Sequence, residues 1–144
     1  FVPHRWATLR DAVGWITGMG LQRGAIASCV AHDSHNIVAV GANDDDLCAA
    51  VNAVIDARGG ISLADGEHRM ALALPVAGIM SNADAYDVAR EYGLIDRAAK
   101  ALGCTMGAPY MTLSFMALLV IPALKLSDEG LFDGAQFQFT PLFA

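Results

Sequence analysis

Charge is scarce in this chain. Only 17% of its 144 residues are Asp, Glu, Lys or Arg, against 55% hydrophobic residues. A surface that cannot be covered by charge is either unusually apolar or partly covered by another chain or domain, and the second fits better. The nine Lys and Arg are scattered without a basic run and the net charge is −6. A surface that tracks nucleic-acid phosphates is therefore not expected. Cysteine is sparse too: Cys29, Cys48 and Cys104 are odd in number, unpaired in spacing and without any CxxC zinc pattern. Reduced thiols in a cytoplasmic protein suit this better than a disulfide frame. No apolar run reaches the ~20 residues of a bilayer span. The longest, Met111 to Leu124, is broken by Ser114 and closed near Pro122, and reads as a buried helix. The N-terminal FVPHRWATLR lacks an initiating Met and the basic-then-apolar order of a signal peptide, so the chain looks cut from something longer. Internal repeats and low-complexity segments are also missing.

What is present centres on Gly24 to Asn43, GAIASCVAHDSHNIVAVGAN. Ala25–Ala31 has the small and β-branched content of a buried strand, and Ile37, Val38 and Val40 form a second that ends at Gly41. Between them lie His32, Asp33, Ser34, His35 and Asn36, with Ser28 and Cys29 just before. Asn43 and the three carboxylates Asp44, Asp45 and Asp46 open a helix whose Leu47, Ala50, Val51, Val54 and Ile55 share one face, stopped by Gly59-Gly60. Ile61–Ala64 and Met70–Leu74 flank Asp65-Gly66-Glu67 as a hairpin closed by Pro75. Val76–Met80 is a short apolar connector. Ser81 or Asn82 then caps a helix running to Gly103, which Gly93 bends or splits. Pro109 opens a helix over Tyr110–Val120, apolar all round. In the C-terminal segment, Phe137 and Phe139 alternate with Gln136 and Gln138 as a half-buried strand. The stretch before Gly18, with Trp6, Leu9, Val13 and Trp15, has no clean period. The length suits one domain with one core, and the element pattern predicts an α+β sandwich of mixed or antiparallel sheet with helices.

The polar cluster admits several chemistries. A metal site needs further ligands, and the only other histidines, His4 and His68, lie in unrelated segments. Cys29 with a histidine base would be a thiol nucleophile, but a small Cys inside an apolar strand is more often core. Two readings then stand level. His32, Asp33, Ser34, His35, Asn36 and Ser28 bind a ligand by hydrogen bonds, or the cluster bonds its own turn.

The run GMGLQRGAIASCVAHDSHNIVAVGAND resembles the C-terminal domain of bacterial and archaeal adenine deaminases of the amidohydrolase superfamily. LALPVAGIMSN, ALGCTMGAPYMTLSFMA, PALKLSDEGLFD and FQFTPLFA follow in the same order, so the resemblance covers roughly Met19 to Ala144. Phe1 to Ile16 departs from it, lacking the His-His and Gly-rich run that often precedes the signature. The resemblance implies a parent that converts adenine and water to hypoxanthine and ammonia. Its metal centre (Mn, Fe or Zn) would be held by the histidines and acids of a TIM barrel. This chain has no HxH pair and is shorter than the ~200 residues such a barrel requires. It is expected to hold no cofactor and no catalytic residue, to be inactive alone, and to pack on the barrel in cis or trans with the AHDSHN loop near the purine. A homo-oligomer is also expected. The alternative is a structural, oligomerisation or small-molecule-binding module.

Overall fold

A computed structural model describes residues 12–32 and 34–143 of the chain. His4, Trp6, Leu9 and Asp33 lie outside the described residues. Ten elements follow in order: β1 (Ala25–Ser28), β2 (Val38–Gly41), α1 (Asp44–Asp56), β3 (Gly60–Asp65), β4 (His68–Ala73), α2 (Ala85–Ala101), α3 (Pro109–Phe115), β5 (Leu124–Ser127), β6 (Gly130–Asp133) and β7 (Gln138–Thr140). Strands β2-β1-β3-β4 form one sheet and β5-β6-β7 another, and every pair is antiparallel. This is the α+β class expected, with the choice between mixed and antiparallel sheet resolved in favour of the latter.

Alternation along β1 and β3 separates two layers. Ala25 and Ala27 face α1 with Ala64, and Ser62 donates its hydroxyl to the Ala50 carbonyl at 2.6 Å. Small residues on this face let the helix backbone approach the sheet closely. Ile26, Ile61, Leu63 and Leu72 face the other way, against Ile95, Ala99 and Leu102 at α2 and Tyr110 and Leu113 on α3. The larger apolar side chains gather in this second layer, where burial contributes roughly 25 cal/mol per Å². Register fixes the division, since Ile26 sits opposite Leu63 and Ala27 opposite Ser62. A one-residue slip would exchange the two faces.

The first helix begins as the sequence predicts. Asn43 accepts from the Asp46 amide at 2.8 Å, and Asp44, Asp45 and Asp46 occupy the first turn. The β3–β4 hairpin turns at Gly66-Glu67, and Gly66 takes the positive φ that its turn requires. The second helix is capped by Asp84 rather than by Ser81 or Asn82. The Asp84 carboxylate accepts from the Tyr86 amide, while Ser81 folds into a local turn with Ala83. Gly93 does not split the helix into two elements; α2 runs through it.

The expected buried helix over Tyr110–Val120 is corrected. It ends at Phe115, and successive turns bonded Leu118 to Phe115 and Ile121 to Leu118 carry the chain to β5. The Leu126 amide then bonds the Met116 carbonyl, so the apolar run is divided between a short helix and the approach to a sheet. Met111, 54% exposed, shows that even the helical part is not buried all round. The C-terminal strand is also shorter than its alternation suggests. Phe137 has φ 55° and stands outside β7, and it meets Phe132 edge-on at 5.2 Å as Phe139 does at 5.3 Å. The β5–β6 hairpin was not expected; Ser127 holds its turn by accepting from the Glu129 amide.

Candidate functional site

β1 stops at Ser28 because its hydroxyl accepts from the Val30 amide at 3.0 Å, a side-chain turn that diverts the chain from the sheet. The diverted segment closes on itself where the His35 amide donates to the Ala31 carbonyl at 2.8 Å. This leaves His35 at φ 54°, a conformation rare for a residue with a side chain. The chain can then re-enter the sheet as β2.

The described ones among the predicted residues have different surroundings. Ser28 is buried and its hydroxyl is engaged by its own loop. His32 lies with its ring 5.4 Å from Phe115 on α3 and 6.4 Å from the ring of His35, edge to face. Ser34 and His35 line a cleft of about 220 Å³ together with Cys29, Ala77 and Ile79. The Nδ1 atom of His35 is buried and has no hydrogen-bond partner among the described residues. Asn36 is half-buried, and Asp33 lies outside the described residues.

Cys29 is built into the scaffold. Its thiol donates to the Gly78 carbonyl at 2.9 Å and accepts from the Gly60 amide at 3.1 Å, and the same amide also donates to the Gly78 carbonyl. These bonds seat the Val76–Met80 turn on the start of β3. A side chain on Gly59 would overlap the Gly78 backbone, so glycine is required at this close approach. The far wall of the cleft, Ala77 to Ile79, was read from the sequence only as an apolar connector. The available signal was the pair Gly59-Gly60 matched by Gly78, which marks two backbones in contact.

Among the described residues, no three of His, Cys, Asp and Glu come together as a metal-ligand set. The described residues therefore offer no ligand set for the divalent metal that the resemblance implies for the parent. No helix in this part of the chain is long and apolar enough to cross a membrane.

Electrostatic departures lie elsewhere. Asp46 is held below its ordinary 3.8 by the Asn43 side-chain amide at 2.7 Å and then by the Gly66 amide at 2.7 Å. Burial pushes the Tyr110 phenol up, and its hydroxyl donates to the Ser62 carbonyl at 2.9 Å. Both serve the scaffold.

The family model described as "Adenine deaminase C-terminal domain" matches residues 2–138. The chain belongs to this family. Proteins named adenine deaminase resemble the domain closely: that of Salinibacter ruber is 60% identical over 92% of this chain, and that of Methanosarcina acetivorans 52% identical over 99%. The Archaeoglobus fulgidus protein of that name is 51% identical over 94%. The match takes up only 24–26% of each relative, so the domain spans about a quarter of the length of the curated relatives it matches.

Proposed function

We propose that this chain is the non-catalytic C-terminal domain of a cytoplasmic adenine deaminase, which converts adenine and water to hypoxanthine and ammonia. The observation that carries the reading is the close identity, over nearly the whole chain, to relatives bearing that name. The remaining three quarters of such a polypeptide supply the reacting groups and the divalent metal, Mn, Fe or Zn, in a barrel. This domain packs on the barrel and turns the His32–Asn36 loop toward the purine. Support for the loop comes from His35, a residue at φ 54° that lines the cleft with Ser34.

The test compares the chain alone with the full-length protein carrying it, each assayed for ammonia release from adenine with added Mn²⁺, Fe²⁺ or Zn²⁺. Activity is expected only in the full-length protein. Enzyme-like turnover by the chain alone, free of contaminating deaminase, overturns the division of labour.

A second reading has one observation in its favour. Trp15, Phe137 and Phe143 are exposed apolar residues at the two ends of the described chain, as an oligomerisation module would have. Wild-type turnover in a full-length protein with the His32–Asn36 loop replaced by glycine and serine would favour it over the purine-facing loop.

A further inference from the structure

Strand β4 ends one side of the four-stranded sheet, and its only partner among the described strands is β3. Register decides which of its backbone groups are left over. The Cys29 amide donates to the Gly60 carbonyl, so Gly60 and, by alternation, Ser62 and Ala64 turn their backbone groups toward β1. Ile61 and Leu63 turn theirs the other way, to Leu72 and Met70 of β4. Ala71 lies between these two, so its N–H and C=O point out of the sheet, as do those of Arg69 and Ala73. All three residues are exposed.

Sheet edges are usually blunted by charge, proline, a bulge or a covering element, because a free row of donors and acceptors recruits other strands. Strand β4 has little of this. Its six residues HRMALA pair in unbroken register, without proline, and Arg69 guards only its start. Alanines stand at the centre and at the far end. The edge is also roofed on one face. Met70 and Leu72 turn their side chains toward α2, where Glu91 and the half-exposed Leu94 complete a groove of about 210 Å³ with Met70, Ala71 and Leu72. A strand placed about 4.8 Å beyond β4 would lie beneath this helix flank, with alternate side chains against Met70, Leu72 and Leu94.

The geometry points to the β4 edge and the α2 flank as a docking site for an extended strand of a partner protein, added to the sheet as a fifth strand. Main-chain pairing to Arg69, Ala71 and Ala73 supplies affinity, and the groove selects the alternate side chains. Charge narrows the choice further. Glu91 is the only charged side chain on the groove lining, in a chain of net charge −6, so a strand with a lysine or arginine on its α2-facing row is favoured. A second copy of β4 fits less well. Two-fold pairing would bring two α2 flanks, each with its Glu91 carboxylate, over one slot. This docking site stands independently of the adenine deaminase reading.

The probe is a fluorescein-labelled peptide, Thr-Val-Thr-Val-Thr-Lys-Thr-amide, whose valines and lysine share one face. Anisotropy on titration with the 144-residue chain is expected to show saturable binding, about threefold weaker when the peptide's lysine is replaced by glutamate. Hydrogen exchange followed by NMR gives the register. Bound peptide should newly protect the amides of Arg69, Ala71 and Ala73, while those of Met70 and Leu72, already bonded to β3, change little. Ala71→Pro removes one outward N–H at a position where an edge strand accepts proline, so it should weaken binding about tenfold or more while the chain still melts cooperatively. Leu94→Lys leaves the β4 backbone untouched and should also weaken binding, by obstructing the groove and repelling the peptide's lysine.

No saturable binding up to about millimolar chain, new protection confined to other elements, or L94K binding as tightly as the unsubstituted chain overturns the docking site. So does a folded A71P chain that binds the peptide undiminished. Protection of Arg69, Ala71 and Ala73 that rises with chain concentration in the absence of peptide assigns the edge to a second copy and overturns the partner strand.

Discussion

Asp46, in the first turn of α1, accepts the Gly66 amide at 2.7 Å across 20 residues of sequence and so ties the helix N-terminus to the tip of the β3–β4 hairpin. The same carboxylate takes the Asn43 side-chain amide, joining cap, helix and hairpin. These bonds favour the ionised form and lower its pKa from 3.8. A depressed carboxylate stabilises the fold above its unfolded pKa, and the contribution is lost as pH falls from about 3.8 through the lower folded value. Asp46→Asn is expected to lower the melting temperature at pH 7 and to flatten the fall in stability below pH 4. Melting curves from pH 7 to 2.5 check this; a variant with an unchanged acid limb contradicts it.

Truncation is expected to cost very different amounts at a buried and an exposed position. Leu63 is fully buried between the sheet and α2 and α3, so Leu63→Ala should destabilise by about 2–5 kcal/mol. Phe137, 72% exposed, should change stability by no more than about 0.5 kcal/mol when replaced by Ala. Urea denaturation of both variants measures the contrast. Equal losses would mean that the Phe137 ring carries core packing despite its exposure.

Helix α1 was legible because Asn43 and the Asp run satisfy amides within four residues of themselves. The β3–β4 hairpin was legible for the same kind of reason, since its turn signal Asp65-Gly66-Glu67 lies between two apolar runs. The polar loop stood out by composition. Its far wall did not, because Ala77–Ile79 reaches Cys29 through a bond from its thiol to the Gly78 carbonyl, nearly fifty residues away, and short-range patterns carry no record of it. Asp46 was read as a helix-dipole residue, and its bond to Gly66 is likewise non-local. The helix assigned past Phe115 failed because a run of leucines and alanines fits a helix period as well as a chain of turns. The β5–β6 strands were hidden in its shadow.

Tyr110 spans the core from α3 to the β3 backbone, and its hydroxyl bond to Ser62 is buried. Tyr110→Phe removes the donor while keeping the ring, and should cost about 0.5–1.5 kcal/mol. Burial raises the phenol's pKa, so its contribution is complete below the ordinary value of 10.0 and declines only as pH rises toward the folded one. Ultraviolet titration should therefore show that Tyr110 fails to ionise until the domain unfolds in alkali. A phenol that titrates normally in the folded chain would contradict the buried bond.

Exposed apolar residues from both ends of the described chain meet near the second sheet. Leu131 of β6 lies against Gly14, so the neighbouring Val13, Trp15 and Ile16 border the sheet that carries Phe139. Trp15 is 83% exposed, far more than a large aromatic usually is in a folded domain. An apolar border of this kind is a surface prone to associate. Alone at micromolar concentration, the chain should self-associate and give a light-scattering mass above the 15.1 kDa of one copy. Trp15→Lys combined with Phe139→Lys should restore the mass of one copy while leaving the melting temperature nearly unchanged. A chain that scatters as a single copy without these substitutions would show that the apolar border tolerates water on its own.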